Sequence, residues 1–138
     1  MRLTRFTDYS LRVLVHLGQN NNERVTIHQI SETYGISRNH LMKVVSNLTR
    51  QQFVVAQRGP GGGIKLNMSP EDINLGDVIR NTEKHLQHLD ETEPSDTIGL
   101  TAEARLAGYL QHALRAYLEA LGRFTLADAL ETDVLQTP

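Results

Sequence analysis

Two short helices, each opened by its own capping residue and separated by a glycine, constrain this chain more than any other feature. Thr26-Ile27-His28-Gln29 reads as a capping box, the threonine hydroxyl accepting from the N3 amide while the glutamine reaches back to the cap. Ile27, Ile30 and Tyr34 then share a face, which predicts a helix over about Thr26 to Tyr34. Gly35 permits a sharp turn, Ile36 can plug the space between helices, and Ser37 caps a further helix running to about Gln51. Two capped helices about a glycine turn form the helix-turn-helix pattern.

The helix after Ser37 is two-faced. Leu41, Val44, Val45 and Leu48 lie at i, i+3, i+4 and i+7, one apolar stripe directed at a core. At 100° per residue the opposite face presents Asn39, Lys43, Ser46 and Arg50, with Arg38, His40 and Asn47 on its flanks. Arg and Lys can donate to guanine, Asn can pair with adenine, and Ser can contact a base edge or a phosphate, so these side chains match major-groove readout. The plainer alternative is an ordinary solvated helix face.

A hairpin follows at once. Phe53-Val54-Val55-Ala56-Gln57 and Ile64-Lys65-Leu66-Asn67-Met68 read as two strands joined by Arg58-Gly59-Pro60-Gly61-Gly62-Gly63. Such a loop can press its backbone against a surface, bringing Gly59, Gly61 and Gly62 to DNA while Arg58 at its base enters a minor groove. The same glycines could cradle a nucleotide phosphate. They lack the Lys-Ser/Thr of a P-loop, and a hairpin surrounds them where a strand-to-helix junction would be needed.

The rest of the chain is helical in pattern. Thr7 to Leu17 is dense in apolar residues and stops at Gly18 and a run of Asn, while Ser69-Pro70-Glu71-Asp72 opens a helical turn and Leu75, Val78 and Ile79 support another. Thr101 caps a helix reaching Leu121, with Leu106, Leu110, Ala113, Leu114, Tyr117, Leu118 and Leu121 at helical spacing. Some twenty residues make roughly 30 Å of helix, more apolar length than a small winged helix covers, so a partner helix is the economical reading. The alternative is an intrachain core against Val13, Leu14 and a final helix from Thr125, and both hold if one edge of the helix packs inward and another across a dimer axis. The fold expected is mainly α with a small β wing: a winged helix-turn-helix over residues 1–83, a loop over 84–101, and a dimerisation helix with a C-terminal helix over 102–138.

Charge separates the two halves. Met1 to Met68 carries nine Lys or Arg against three acids, net +6, and Ser69 to Pro138 carries five against thirteen, net −8, which together give the overall −2. A basic half joined to an acidic one points the first half at a polyanion. No apolar run is long enough to cross a membrane, and the first residues lack the pattern of a signal peptide, so a cytoplasmic chain is expected. Cysteine is absent, which removes disulfides, thiolate metal sites and a cysteine nucleophile. His16 and His112 sit among apolar helix positions and read as structural, and His28 reads as surface. None has a recognisable nucleophile or orienting partner, and no enzyme is expected.

Taken together, the opening Met1-Arg2-Leu3-Thr4-Arg5-Phe6-Thr7-Asp8-Tyr9-Ser10-Leu11-Arg12, Ile36-Ser37-Arg38-Asn39-His40-Leu41, the wing Arg58-Gly59-Pro60-Gly61-Gly62-Gly63-Ile64 and Phe124-Thr125-Leu126-Ala127-Asp128 resemble the NsrR/IscR family of bacterial winged-helix repressors. Within it, the chain is most similar to the nitric-oxide-sensing NsrR branch. The resemblance implies a homodimer on a near-palindromic operator in double-stranded DNA, with an iron–sulfur cluster controlling affinity in the sensing members.

This chain departs from that pattern in one respect. Sensing members place three cysteines before the long helix, but Lys84 to Thr101 reads KHLQHLDETEPSDTIGLT, and Ala104 stands where the last cysteine would precede Arg105-Leu106. Asp8 matches an acidic position that NsrR-like members can offer as a non-cysteine ligand, yet one carboxylate cannot hold a cluster. Its simpler role is a first-turn carboxylate favoured by the helix dipole. His85 and His88, three apart with Asp90, Glu91, Glu93 and Asp96 nearby, are the other residues that would contribute to a metal site. The expectation is no cofactor and no metal. The resulting reading is a DNA-binding transcriptional repressor, and the alternative is a protein-interaction adaptor working through its acidic half.

Overall fold

In a computed structural model, which describes residues 2–89 and 101–131, the chain forms six α-helices among the described residues, interrupted by one two-stranded sheet. Helix α1 spans Arg5–Gln19, α2 Ile27–Tyr34, α3 Arg38–Arg50, α4 Leu75–Thr82, α5 Ala102–Leu121 and α6 Leu126–Leu130, and strands β1 Val54–Gln57 and β2 Gly63–Leu66 make the sheet. The mainly helical architecture with a β wing is the one the patterning predicts.

Local chemistry explains the boundaries. The capping box at Thr26 is complete, the Gln29 amide donating to the Thr26 hydroxyl at 3.2 Å and the Thr26 amide to the Gln29 side chain at 2.8 Å. Gly35 closes α2 in the left-handed region at φ +67°, a conformation with little steric cost for glycine. Helix α1 starts two residues before the expected Thr7 because the Thr4 side chain caps it. The strands are shorter than predicted. Phe53 follows Gln52, which takes φ +67° to turn the chain out of α3, and its ring is buried in the core while its carbonyl accepts from the Asn67 amide at 2.9 Å just beyond the strand ends.

The main core gathers Val13, Leu14 and Leu17 of α1, Ile30 of α2, the α3 stripe, and Val54, Ile64 and Leu66 from the wing. Leu126 of α6 joins it, and α6 is tied down by its own amide, which donates to the Ile73 carbonyl at 2.9 Å. Helix α5 does enter an intrachain core, but with other partners than those expected. Its buried Leu118 packs with Ile79, Leu86 and Leu89 in a second cluster instead of on Val13 and Leu14, while Leu106, Tyr109 and Leu110 stay 61%, 63% and 67% exposed. His112 is also exposed rather than lodged among apolar residues. His16 is half-buried with its ring edge-on to Tyr34.

Two hydrogen bonds join the start of α1 to the end of α4. The Thr4 amide donates to Glu83 Oε1 at 2.7 Å, and the buried Thr7 hydroxyl donates to that of Thr82 at 2.9 Å. The start of α1 and the segment that leaves α4 are therefore held together directly.

Candidate nucleic-acid interface

Helix α3 is oriented by its buried stripe and by the turn before it. The His40 amide donates to the Ser37 hydroxyl at 3.2 Å, and the Ser31 hydroxyl donates to the Ile36 carbonyl at 2.6 Å, holding the first turn from both sides. With Leu41, Val44, Val45 and Leu48 buried, Arg38, Asn39, His40, Lys43, Ser46 and Arg50 are left exposed. All six are brought to the surface of one helix.

Several of these side chains are already positioned. Arg38 Nη2 meets Nδ1 of His28, whose Nε2 lies 3.1 Å from Glu32 Oε1, so a chain of polar contacts crosses the helix-turn-helix. His40 lies against Tyr9, ring centroids 6.0 Å apart. Arg50 Nη2 donates to Asn47 Oδ1 at 2.7 Å. Asn47 is 8% exposed. Its expected place on the flank of the outer face is thereby corrected: it braces Arg50 from within, because its position on the wheel borders the apolar stripe.

The wing presents its features unequally. Arg58, Gly59 and Gly61 are exposed and Gly62 is buried. The Gly62 amide donates to the Gly59 carbonyl at 2.8 Å, and Arg24 Nε donates to the Gly62 carbonyl. A Cβ at position 62 would press on the Gln57 carbonyl and lie 2.8 Å from that of Gly59, so Gly62 shapes the loop and leaves Gly59 and Gly61 as its outer surface. The register pairs Val55 with Lys65, and both are exposed on the outward side of the hairpin. Lys65 adds a cation that the sequence reading did not select, although strand alternation around buried Ile64 and Leu66 would have placed it outside.

A groove of about 1040 Å³ runs beside α3, lined by Asn39, Met42, Lys43, Ser46 and Arg50, and by Asn81, Lys84, His85 and Gln87 from the end of α4 onward. Four of them, Asn39, Lys43, Ser46 and Arg50, come from the face already assigned to DNA.

Of the other residues singled out, His85 lines this groove and Asp8 does not. Asp8 is in the first turn of α1, its carboxylate 3.1 Å from Arg12 Nε with both side chains 49% exposed. His85 Nδ1 is 3.8 Å from Oε2 of Glu83, and His88 is exposed. Asp90, Glu91, Glu93 and Asp96 lie outside the described residues. No cluster of three or more His, Asp or Glu occurs among the described residues in a metal-holding arrangement.

Residues 3–132 match the Rrf2 family of iron-dependent transcriptional regulators. The chain belongs to that family. It is 44% identical over 133 residues to the HTH-type transcriptional regulator NsrR of Bacillus subtilis strain 168, covering 95% of this chain and 91% of the relative. Among solved structures it resembles T. potens IscR, with a TM-score of 0.73, 24% identity, and 94% and 86% of the two chains covered. It also resembles oxidised Staphylococcus aureus CymR, with a TM-score of 0.69, 23% identity, and coverage of 96% and 98%. The winged helix-turn-helix fold is thus that of the Rrf2 regulators, and the chain is a DNA-binding transcriptional regulator rather than an enzyme. No helix among the described residues is long and apolar enough to cross a membrane.

Rrf2 membership raises the iron–sulfur cluster again. Such a cluster is held chiefly by thiolates, and this chain contains no cysteine. Ala104 offers a methyl group, and the Asp8 carboxylate is engaged with Arg12. The residues present do not fit an iron–sulfur cluster.

Proposed function

We propose that this chain is a homodimeric repressor that binds a near-palindromic operator without an iron–sulfur cluster. Asn39, Lys43, Ser46 and Arg50 face the major groove, with Arg38 and His40 at its edge. Arg58 and the wing backbone at Gly59 and Gly61 meet the minor groove or phosphates, with Gly62 holding the loop in shape. The observation that carries the reading is the exposure of those α3 side chains on the face opposite a fully buried stripe, with a cationic wing following on. Dimerisation is supported by α5, whose first half leaves Leu106, Tyr109 and Leu110 more than half exposed.

Arg58 makes no ion pair among the described residues, so its charge is available to DNA. Arg58→Ala is expected to weaken binding to the duplex most enriched from a random-sequence library by about 1–3 kcal/mol if it reads a groove. If it contacts a phosphate, the salt slope should fall by about one. A titration at several salt concentrations that gives wild-type affinity and slope would remove Arg58 from the interface.

The cluster reading predicts a spectroscopic blank. Anaerobic reconstitution with iron and sulfide should leave no cluster absorption, and DNA affinity should be indifferent to nitric oxide, since no sulfur ligand is available. A stoichiometric chromophore would overturn the ligand argument.

A further inference from the structure

One side chain on the reading face of α3 does not belong with its polar neighbours. Met42 is 57% exposed, the only large hydrophobic of α3 left so open, and it joins neither apolar cluster. At 100° per residue it stands about 40° from Ser46 and about 60° from both Asn39 and Val45, on the border between the polar face and the buried stripe, and its exposure places it with the former. It also lines the same groove as Asn39, Lys43 and Ser46.

We propose that Met42 is a specificity residue that packs against the 5-methyl group of a thymine. The inference rests on α3 being the major-groove helix and deepens that reading. Thymine shows the major groove an O4 acceptor and a methyl, the only apolar group that any base edge presents there. Asn39, Lys43, Ser46 and Arg50 offer hydrogen bonds, which read acceptors and donors but gain nothing from a methyl. Met42 supplies the missing apolar contact, and its unbranched, rotatable chain can follow the base edge without moving the helix. Withdrawing one methyl from water corresponds to about a fourfold change in affinity.

The test uses the full-length protein and the duplex most enriched from a random-sequence library, with each thymine replaced in turn by deoxyuridine, which lacks only the methyl. For wild type, one thymine per half-site should be sensitive, its replacement weakening binding by about 3- to 5-fold. Met42→Gln, of similar length but polar, should bind the thymine and deoxyuridine duplexes equally, while Met42→Leu should keep the discrimination. Both variants should melt with wild type because the side chain is exposed. Indifference of wild type to every deoxyuridine, or unchanged sensitivity in Met42→Gln, overturns this inference and leaves the α3 reading in place. Absence of any salt-dependent duplex binding by wild type overturns both.

Discussion

Inserting five base pairs between the two half-sites of the operator should reduce affinity by about 10³-fold or more, from specific binding to the non-specific level. A two-fold dimer presents its recognition helices about 34–36 Å apart, matching one turn of DNA. Half a turn of extra duplex rotates the second half-site to the opposite side, where the second α3 cannot reach it. The effect is large because a whole half-site of contacts is lost while all base-edge chemistry is retained. It depends on the rigidity of the pairing, which the exposed Leu106, Tyr109 and Leu110 of α5 are assigned to provide. Gel shifts with the native and lengthened duplexes decide it, and undiminished affinity would mean that a single chain reads the site.

The largest effect on stability is expected at the root of the recognition helix. Leu41 is fully buried where α1 and α3 pack together, in the main core with Leu14 and Leu17. Truncation to alanine removes the transfer energy of the lost carbons and leaves a cavity, together about 2–5 kcal/mol. Against a typical total of about 5–15 kcal/mol, that is a large share of the folded state's margin. Urea unfolding should show a lower midpoint with an unchanged m-value. A shift under about 0.5 kcal/mol would mean that the α1–α3 packing is not the support on which the reading face rests.

Sequence reasoning was strongest where chemistry is local. The cap at Ser37, the box at Thr26 and the turn at Gly35 each depend on residues at most three apart, and each appears as expected. It was weaker where a face had to be chosen. Leu110 and Leu118 are the same residue on the same helix, eight positions apart, yet one is 67% exposed and the other 3%. Only the fold decides this, because α4 and the segment after it cover just the latter half of α5. Asn47 was hidden for a similar reason, since a polar side chain beside an apolar stripe can turn inward when Arg50 satisfies its carbonyl. Met42 falls between the stripe and the polar face on the wheel, so only the fold shows that it is left exposed. The loop question ends in composition: without cysteine, the position of the loop cannot make a cluster site.

The central claim is that the basic half meets duplex DNA through α3 and the wing, and a salt titration addresses it most directly. Phosphate contacts release condensed counterions, so the logarithm of the binding constant should fall linearly with the logarithm of salt concentration, with a slope of about −0.9 for each phosphate neutralised. Measured by fluorescence anisotropy on the enriched duplex, the slope should be steep for wild type and shallower by about one for each of Lys43→Ala and Arg58→Ala that removes a phosphate contact. Duplex binding that is absent, or that does not change with salt, would contradict the account and favour an adaptor working through the acidic half.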